Sequence, residues 1–308
     1  MGAFIYPFTD WGFKHIFGKK EFMLDFLNSL LQGERVITDI HYMNNEREPE
    51  QKEMKKVIYD IYCETDTGEY IIVEMQNRWQ EHFRDRALYY LSKSIVQQGV
   101  TGEKWDYQLT AVYGVFFINF LLDKEPTEYF CKDVALIDKY TGKVFNNKFR
   151  QIYIELPRFM KSEQDCNNFL EYWIYNLVNM NNKEQMSFKD QKAIFARLEK
   201  IASQANLTKE ERAQYEEEWK IYNDYFNTIE SAQKKAAAES WEKGMEEGMK
   251  EGLEKGMKEG IEKGIEKGME KGRIAEQHRI AKALKETGTP INTIAQVTGL
   301  SQEEIENL

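Results

Sequence analysis

A glycine repeat near the carboxyl end of the sequence divides the chain into two parts that must fold differently. Glycine stands at every fourth position from Gly244 to Gly272, and methionine, leucine or isoleucine follows each of the first seven glycines. At about 100° per helical residue, a period of four drifts by roughly 40° per repeat, so the apolar stripe winds around the helix. Eight interior glycines also cost about 0.8–1 kcal/mol each relative to alanine. The repeat therefore predicts either a helix stabilised by a second copy along residues 241–272, or a charged, flexible helix or linker.

Aromatic residues are concentrated before this repeat. They make up 13% of the 308 residues and become rare after Trp241. Roughly the first 230 residues therefore have enough apolar side chains for a large core, whereas the tail does not. We expect four parts: residues 1–160 as an α/β domain, 161–230 as a helical subdomain, 231–273 as the glycine-repeat helix or linker, and 274–308 as a small helical end.

The charge distribution excludes several classes of protein. Residues 1–230 hold 29 basic and 37 acidic residues, and residues 231–308 hold 13 and 15. A net charge of −10 excludes a histone-like or polybasic membrane-surface protein, because both need a positive field over most of the surface. The longest apolar run, residues 111–122, is shorter than the roughly 20 residues of a membrane span.

The first residues and the cysteines predict a location in the cell. No charged leader followed by a long apolar stretch opens the sequence, so no secretory signal is visible. Three cysteines are present without a CxxC spacing, which favours a reducing compartment. We expect a cytoplasmic protein.

The apolar spacing of the first 120 residues predicts an α/β order. Apolar residues recur every three or four positions in two segments, as in amphipathic helices, and they alternate or run continuously in four others, as in strands. The predicted order is a helix, three strands, a helix and a strand, over residues 21–31, 36–43, 57–63, 70–76, 82–98 and 109–120.

The remaining sequence predicts one more hairpin and then helices. Residues 134–140 and 149–156 are expected to pair around Gly142, and helical spacing dominates from residue 163 to residue 230. This order predicts an α/β fold class followed by an all-helical C-terminal region.

The last 35 residues predict three short helices separated by Gly288 and Gly299. The first covers residues 274–287, Thr289 is expected to cap the second ahead of Pro290, and Ser301 to open the third with a capping box. A helix-turn-helix is one interpretation of this pattern. A helical cap for the repeat is the other, because the final segment SQEEIENL carries no basic residue to enter a DNA groove.

The loop between the second and third predicted strands determines which residues face each other. If residues 66–68 form a three-residue loop, opposed positions sum to 134 in residue number. Asp60 then faces Glu74, and Ile58 faces Gln76. Because side chains alternate along a strand, Glu74 and Gln76 share one face of the hairpin with Asp60.

Two opposed carboxylates repel each other unless something positive lies between them. A divalent cation would resolve the conflict between Asp60 and Glu74, and oxygen ligands suit Mg²⁺ or Mn²⁺. The competing interpretation is that the pair lies on a solvated face of the sheet and repels only weakly.

Several short motifs around this pair resemble a known nuclease family. They resemble the PD-(D/E)xK nuclease superfamily and, more narrowly, its recombination-promoting nuclease and transposase group in bacteria, over about residues 8–160. The motifs are DWGFK at residues 10–14, FG at 17–18, YDI at 59–61, IVEMQ at 72–76, Arg86 with two tyrosines at 89–90, and IEL at 154–156.

This resemblance implies a restriction-endonuclease-like core and a Mg²⁺- or Mn²⁺-dependent DNA endonuclease acting in recombination or on a mobile element. It implies Asp60, Glu74 and Gln76 as catalytic residues, with Asp60 and Glu74 as metal ligands and the Met75 carbonyl as a further ligand. Gln76 stands where the superfamily name places lysine, and the narrower group tends to carry glutamine there. A neutral amide can hydrogen-bond but cannot supply positive charge.

Three more residues have alternative interpretations. Arg86 could contact phosphate or brace the site, or form a helix-surface ion pair with Asp85 or a nearby glutamate. Lys14 could approach the DNA backbone or remain solvated. Asp10 could cap the first helix, which we favour, or stand near the metal.

The sequence leaves two classes of function open. The first is the DNA endonuclease, with DNA as partner and with a homo-oligomer formed through residues 241–272. The second is a catalytically inactive, nuclease-like module that binds DNA or protein and is oligomerised by its C-terminal helix.

Overall fold

The computed structural model describes residues 2–47, 57–99 and 106–308. It divides into two compact units, Met1–Tyr225 and Phe226–Leu308. The first unit contains the sheet and the helices that cover it. Within the described residues, no helix is both long enough and apolar enough to cross a membrane.

Helices and strands alternate irregularly along the chain. In the described residues the α-helices are α1 (Asp10–Phe17), α2 (Lys20–Leu30), α3 (Phe83–Val96), α4 (Phe169–Asn179), α5 (Ala193–Ala202), α6 (Lys209–Glu286), α7 (Ile291–Thr298) and α8 (Gln302–Glu306). The strands are β1 (Ile40–Tyr42), β2 (Glu46–Arg47), β3 (Val57–Ile58), β4 (Ile61–Thr65), β5 (Tyr70–Gln76), β6 (Val112–Ile118), β7 (Cys131–Ile137) and β8 (Val144–Glu155). Short 3₁₀ turns cover Leu156–Arg158, Glu163–Asp165, Met180–Asn182 and Gln204–Asn206.

Six strands form one mixed sheet in the order β1-β4-β5-β6-β8-β7. Strands β5, β6 and β8 run parallel to one another, while the outer pairs are antiparallel. The carboxyl ends of the parallel strands therefore meet at one edge, where Gln76, Ile118 and Glu155 lie side by side. This edge positions the candidate site.

Each face of the sheet is covered by helices. One core combines α1, α2, α4 and α5 with the residues of β5 that flank Glu74, and the other combines α3 with Ile72 and the opposite face of β6. Helix α3 can approach closely because β6 carries Gly114, where a Cβ atom would lie 2.6 Å from Leu91 Cδ1. Burial on both faces accounts for the continuous apolar run predicted for β6.

Most predicted elements of the α/β region are confirmed in position. The third strand spans Tyr70–Gln76 as predicted, α3 and β6 lie within their predicted ranges, and the hairpin β7–β8 turns at Gly142, whose φ is +69°. The chain is therefore a mixed α/β protein with a six-stranded sheet and a long C-terminal helix. The closer likeness to a restriction endonuclease stays a prediction.

The predicted strand over residues 57–63 is wrong as a single element. The chain bends at Asp60 and separates β3 from β4, because the Tyr59 N–H bonds to Asn45 O (2.9 Å) and its buried hydroxyl donates to Tyr90 O (3.0 Å). Ile58 consequently pairs with Glu46 and does not face Gln76.

The beginning of the chain contains a helix that the sequence analysis missed. Helix α1 precedes the predicted first helix, and Thr9 caps it by accepting a hydrogen bond from Gly12 N (3.0 Å). Asp10 is thus the first helical residue, and its predicted role as the cap is wrong.

The tail differs from the prediction in two places. The glycine repeat is helical, and residues 274–286 continue the same helix α6 rather than forming a separate one. Pro290, not Thr289, occupies the N-cap position of α7. The capping box of Ser301 and Glu304 at α8 is confirmed.

Candidate active site

A tight hairpin places the two predicted carboxylates opposite each other. The loop before β5 turns at Gly68, whose φ of +86° favours glycine, and the Thr65 N–H bonds to Glu69 O (2.9 Å). Ile61 pairs with Val73, so opposed residue numbers sum to 134 and the predicted register is confirmed.

Asp60 and Glu74 are linked by reciprocal hydrogen bonds to backbone groups. The Asp60 N–H donates to Glu74 Oε1 (3.2 Å), and the Met75 N–H donates to Asp60 Oδ2 (2.8 Å). One oxygen of each carboxylate is thereby oriented by the hairpin. Among the residues that the structure describes, no hydrogen bond or ion pair reaches Asp60 Oδ1 or Glu74 Oε2.

Glu74 is buried and Asp60 is half-buried, at an electrostatic cost. Glu74 is only 5% exposed. Burial raises the pKa of Glu74 well above its ordinary value, and the neighbouring Asp60 raises it further. Burial also raises the pKa of Asp60. Two carboxylates with few hydrogen-bond donors are thus held together across the hairpin.

Helix α1 brings a further charged pair to the site. Lys14 lies 2.8 Å from Asp10, one turn earlier. Burial raises the pKa of Asp60, the Met75 N–H opposes this rise, and the charge of Asp10 adds to it. The Lys14 charge acts in the opposite direction on Asp60. Lys14 is therefore close to the carboxylates and already paired.

Glu218, on the first part of α6, adds to the negative potential. Together with Asp10 and Lys14 it lines a cleft of about 320 Å³. Burial raises the pKa of Glu218, and Asp10 raises it further. The sequence analysis missed Glu218, because it lies 158 positions after Asp60 in the chain and no local pattern links the two residues.

Arg86 approaches the carboxylates from α3. Its Nη1 donates to Gln80 Oε1 (3.0 Å), and its guanidinium carbon lies 4.9 Å from the centre of the Tyr90 ring. Among the described residues Arg86 forms no ion pair with Asp85, which lies beside His82 at 3.7 Å, or with a nearby glutamate. Arg86 is therefore half-buried beside the site without a carboxylate bonded to it in the described part of the chain.

Gln76 lies at the end of β5, on the same face as Glu74. It pairs with Ile118 of β6, and its side-chain amide donates to Arg78 O (3.1 Å). The side chain is partly exposed at the edge of the sheet. Its amide oxygen is thus available to a water or ligand at this edge.

Glu155 is a second buried carboxylate at the same edge, and the sequence analysis gave it no role. It is fully buried, and its Oε2 accepts from Arg158 Nε (2.7 Å) while Oε1 lies 3.3 Å from Lys132 Nζ. Both cations also bind Asp123. The sequence signal that could have pointed to Glu155 was its place in the IEL motif. Within the described residues Glu155 forms ion pairs with cationic side chains, whereas Asp60 and Glu74 form none.

The residues present fit a hard divalent cation. The site supplies the oxygens of two carboxylates. The described residues contain no cluster of three or more His, Cys, Asp or Glu side chains arranged around a metal position. This arrangement suits Mg²⁺ or Mn²⁺ better than Zn²⁺, because Mg²⁺ is usually bound by one or two carboxylates together with water and substrate phosphate. The two open oxygens of Asp60 and Glu74 provide such a pair.

Comparison with known proteins identifies the family. No curated protein and no solved structure matches the chain significantly. Residues 7–232, which include α1, the whole sheet and the first part of α6, match the family described as PD-(D/E)XK nuclease family transposase. The matched region covers well over half of the chain and confirms the predicted resemblance. The chain belongs to the PD-(D/E)XK nuclease family transposases.

Proposed function

We propose that this protein is a Mg²⁺- or Mn²⁺-dependent DNA endonuclease that hydrolyses phosphodiester bonds, in recombination or in the movement of a mobile element. The observation that carries the proposal is the pair of half-buried Asp60 and buried Glu74, each oriented by a backbone N–H across the hairpin and each with one oxygen left open in the described part of the chain. Family membership makes DNA the expected substrate.

The residues of the site have distinct proposed roles. Asp60, Glu74 and the Met75 carbonyl would hold the metal, which when bound lowers the pKa of a water and stabilises charge on the phosphate. Gln76 would orient the attacking water by a hydrogen bond, since its amide cannot act as a base. Arg86 would bind the phosphate of the scissile strand.

Lys14 would act at longer range. Its side chain is 42% exposed beside Asp10, so it can approach a neighbouring phosphate of the DNA backbone. Such contacts are sensitive to salt. The acidic chain therefore relies on a local basic strip rather than on its net charge.

The proposal is tested by cleavage of plasmid DNA with Mg²⁺ or Mn²⁺. The purified full chain should nick the plasmid, and Asp60→Asn should reduce the rate on the order of a thousandfold. Asparagine keeps an acceptor for the Met75 N–H and removes the charge. The matched control is Glu64→Gln on β4, the strand that begins directly after Asp60; Glu64 lies near the far end of β4, opposite Tyr70.

Metal binding is measured separately by thermal unfolding. Mg²⁺ at about 100 times its Kd should stabilise the wild type by about 2.7 kcal/mol, and Asp60→Asn should lose this gain while unfolding at the same or a higher temperature in EDTA. Equal cleavage by the wild type and Asp60→Asn would refute the proposal. No cleavage with either metal, but retained binding of DNA, would favour the inactive binding module.

We further propose that residues 241–272 join copies of the chain. The apolar residues of the repeat are 53–73% exposed, and a Cβ atom at any of the eight glycines would meet no described atom within 4 Å. A second helix could therefore approach closely along this face, as helices do at small-residue contacts.

Removal of the tail tests this second proposal. A chain ending at Ser240 should have a lower oligomeric state than the full chain in light scattering. Cleavage per protomer by the truncated chain should persist, because the candidate site lies within residues 1–225. Equal masses per particle, after correction for the deleted residues, would reject the homo-oligomer.

The domain division and the location also remain proposals. We propose that residues 1–160 form the nuclease domain, with 161–230 as a helical subdomain, and that the protein acts in the cytoplasm. Limited proteolysis should then cut between these parts before it cuts within the sheet.

A further inference from the structure

A cleft of about 730 Å³ opens beside the proposed catalytic centre. This size is within the range of sites that bind small organic groups, roughly 300–1,000 Å³. One face of helix α3, together with its N-cap residue His82, forms most of its wall. The lining residues are Val57, Gln80, Glu81, His82, Asp85, Arg86, Tyr89 and Tyr90.

The helical spacing of the lining residues places their side chains along one wall of the cleft. Residues 82, 85, 86, 89 and 90 are separated by three or four positions, so their side chains share one side of α3. Two of them are tyrosines, and Tyr89 is 40% exposed although it is a large aromatic residue. The helix therefore presents aromatic rings to the cleft.

The charges of the cleft do not suit a phosphate. Two carboxylates, Glu81 and Asp85, line the cleft, and His82 already lies beside Asp85 at 3.7 Å, while Arg86 is bonded to neither carboxylate in the described part of the chain. A phosphate placed inside would meet two carboxylates. A flat, uncharged ring would instead stack on tyrosine, as nucleobases do in proteins that bind single strands.

Arg86 and Tyr90, which line the cleft, also link it to the surroundings of the carboxylate pair. The Arg86 guanidinium lies over the Tyr90 ring at 4.9 Å, and Tyr59, which precedes Asp60 in the chain, donates a hydrogen bond from its hydroxyl to Tyr90 O (3.0 Å). The positive charge of Arg86 also acts on both Asp60 and Glu74. A nucleotide whose phosphate lay at Arg86 would thus have its base within reach of the cleft.

We propose that this cleft binds an unpaired nucleobase next to the scissile phosphate, with Tyr89 as the stacking residue. The substrate would then be DNA that is single-stranded, bulged or opened at the cutting point, because a base held in a duplex cannot enter the cleft without leaving its stack. This inference rests on the proposed nuclease function and adds a preference for unpaired DNA.

Binding without metal tests the cleft independently of cleavage. In EDTA, fluorescence anisotropy with the full chain should show tighter binding to a duplex with one bulged base than to the same duplex fully paired. Tyr89→Ala should weaken binding to the bulged DNA about five- to a hundredfold and leave the paired duplex nearly unchanged. Tyr89→Phe, which keeps the ring, should bind like the wild type.

A matched control and a local probe complete the experiment. Tyr140→Ala removes a fully exposed tyrosine at the tip of the β7–β8 hairpin and should change neither affinity. A 2-aminopurine at the bulge should change its fluorescence on binding to the wild type and Tyr89→Phe, but much less with Tyr89→Ala.

The outcomes separate this proposal from the nuclease proposal. Equal affinity for bulged and paired DNA, or an equal loss for both with Tyr89→Ala, would overturn the base-binding cleft even if the protein cuts DNA. A bulge preference that depends on Tyr89, without cleavage in any metal, would support the cleft and refute the endonuclease.

Discussion

Two glutamates of one hairpin, five residues apart, have opposite electrostatic environments. Burial alone would raise the pKa of Glu69, but hydrogen bonds from Thr65 and a second threonine, with the charge of Arg35, lower it to about 2. Burial raises the pKa of Glu74 well above its ordinary value, and Asp60 raises it further. The glutamate just before β5 therefore receives several hydrogen bonds, whereas the glutamate near the end of β5 receives one among the described residues.

This difference separates a structural carboxylate from a binding carboxylate. The ionised form of Glu69 is stabilised by groups that the fold itself supplies, so it contributes to stability without any ligand. Glu74 faces a second carboxylate and, among the described residues, receives one hydrogen bond, from the Asp60 N–H, so a bound cation would stabilise its charge further. A carboxylate whose pKa is strongly shifted by the fold is often part of a functional site.

The largest expected effect compares the two glutamates directly. Glu74→Gln should reduce DNA cleavage on the order of a thousandfold, because the amide keeps the acceptor for the Asp60 N–H but cannot balance a divalent cation. Glu69→Gln should cut plasmid DNA within about twofold of the wild type at saturating metal. Cleavage rates with Mg²⁺ at neutral pH measure both. A comparable loss in the two variants would mean that Glu74 acts only through the fold.

A smaller effect is expected at the edge of the sheet beside Glu74. Gln76→Ala should slow cleavage about tenfold to a hundredfold and leave the Mg²⁺-induced shift in Tm unchanged, because the amide orients water but does not carry the metal. Gln76→Lys, which restores the superfamily residue, should cleave at least as fast as the wild type. A lost Tm shift in Gln76→Ala would instead assign Gln76 to the metal.

The smallest expected effect is a loss of stability when Glu69 is replaced. Glu69→Gln should lower the free energy of unfolding by about 1–3 kcal/mol at pH 7. Since folding lowers the pKa of Glu69 from about 4.5 to about 2, its contribution is present above pH 4.5 and disappears as the pH falls toward 2. Urea unfolding at pH 7 and at pH 3 should show a larger difference between variant and wild type at pH 7. A difference that grows at pH 3 would contradict this assignment.

Much of the hairpin could be predicted from local pattern. Strand-like runs on both sides of a loop with Gly68 determine the register, and the register brings Asp60 opposite Glu74 because side chains alternate with a period of two. The bend at Asp60 was not predictable, since it depends on Tyr59 inserting beneath α3. Helix α1 was missed because its sequence is short and its apolar residues do not stand out from the aromatic surroundings.

The sequence by itself determined the register of the hairpin and the opposed carboxylates, because both follow from a spacing of a few residues. Tertiary structure alone decided the order of the strands in the sheet, the burial of Glu74, the approach of Lys14 and Glu218 to the pair, and the cleft along one face of α3. Periodicity reports neighbours along the chain, whereas the pKa of Glu74 depends on groups that come together only when the sheet and its helices pack.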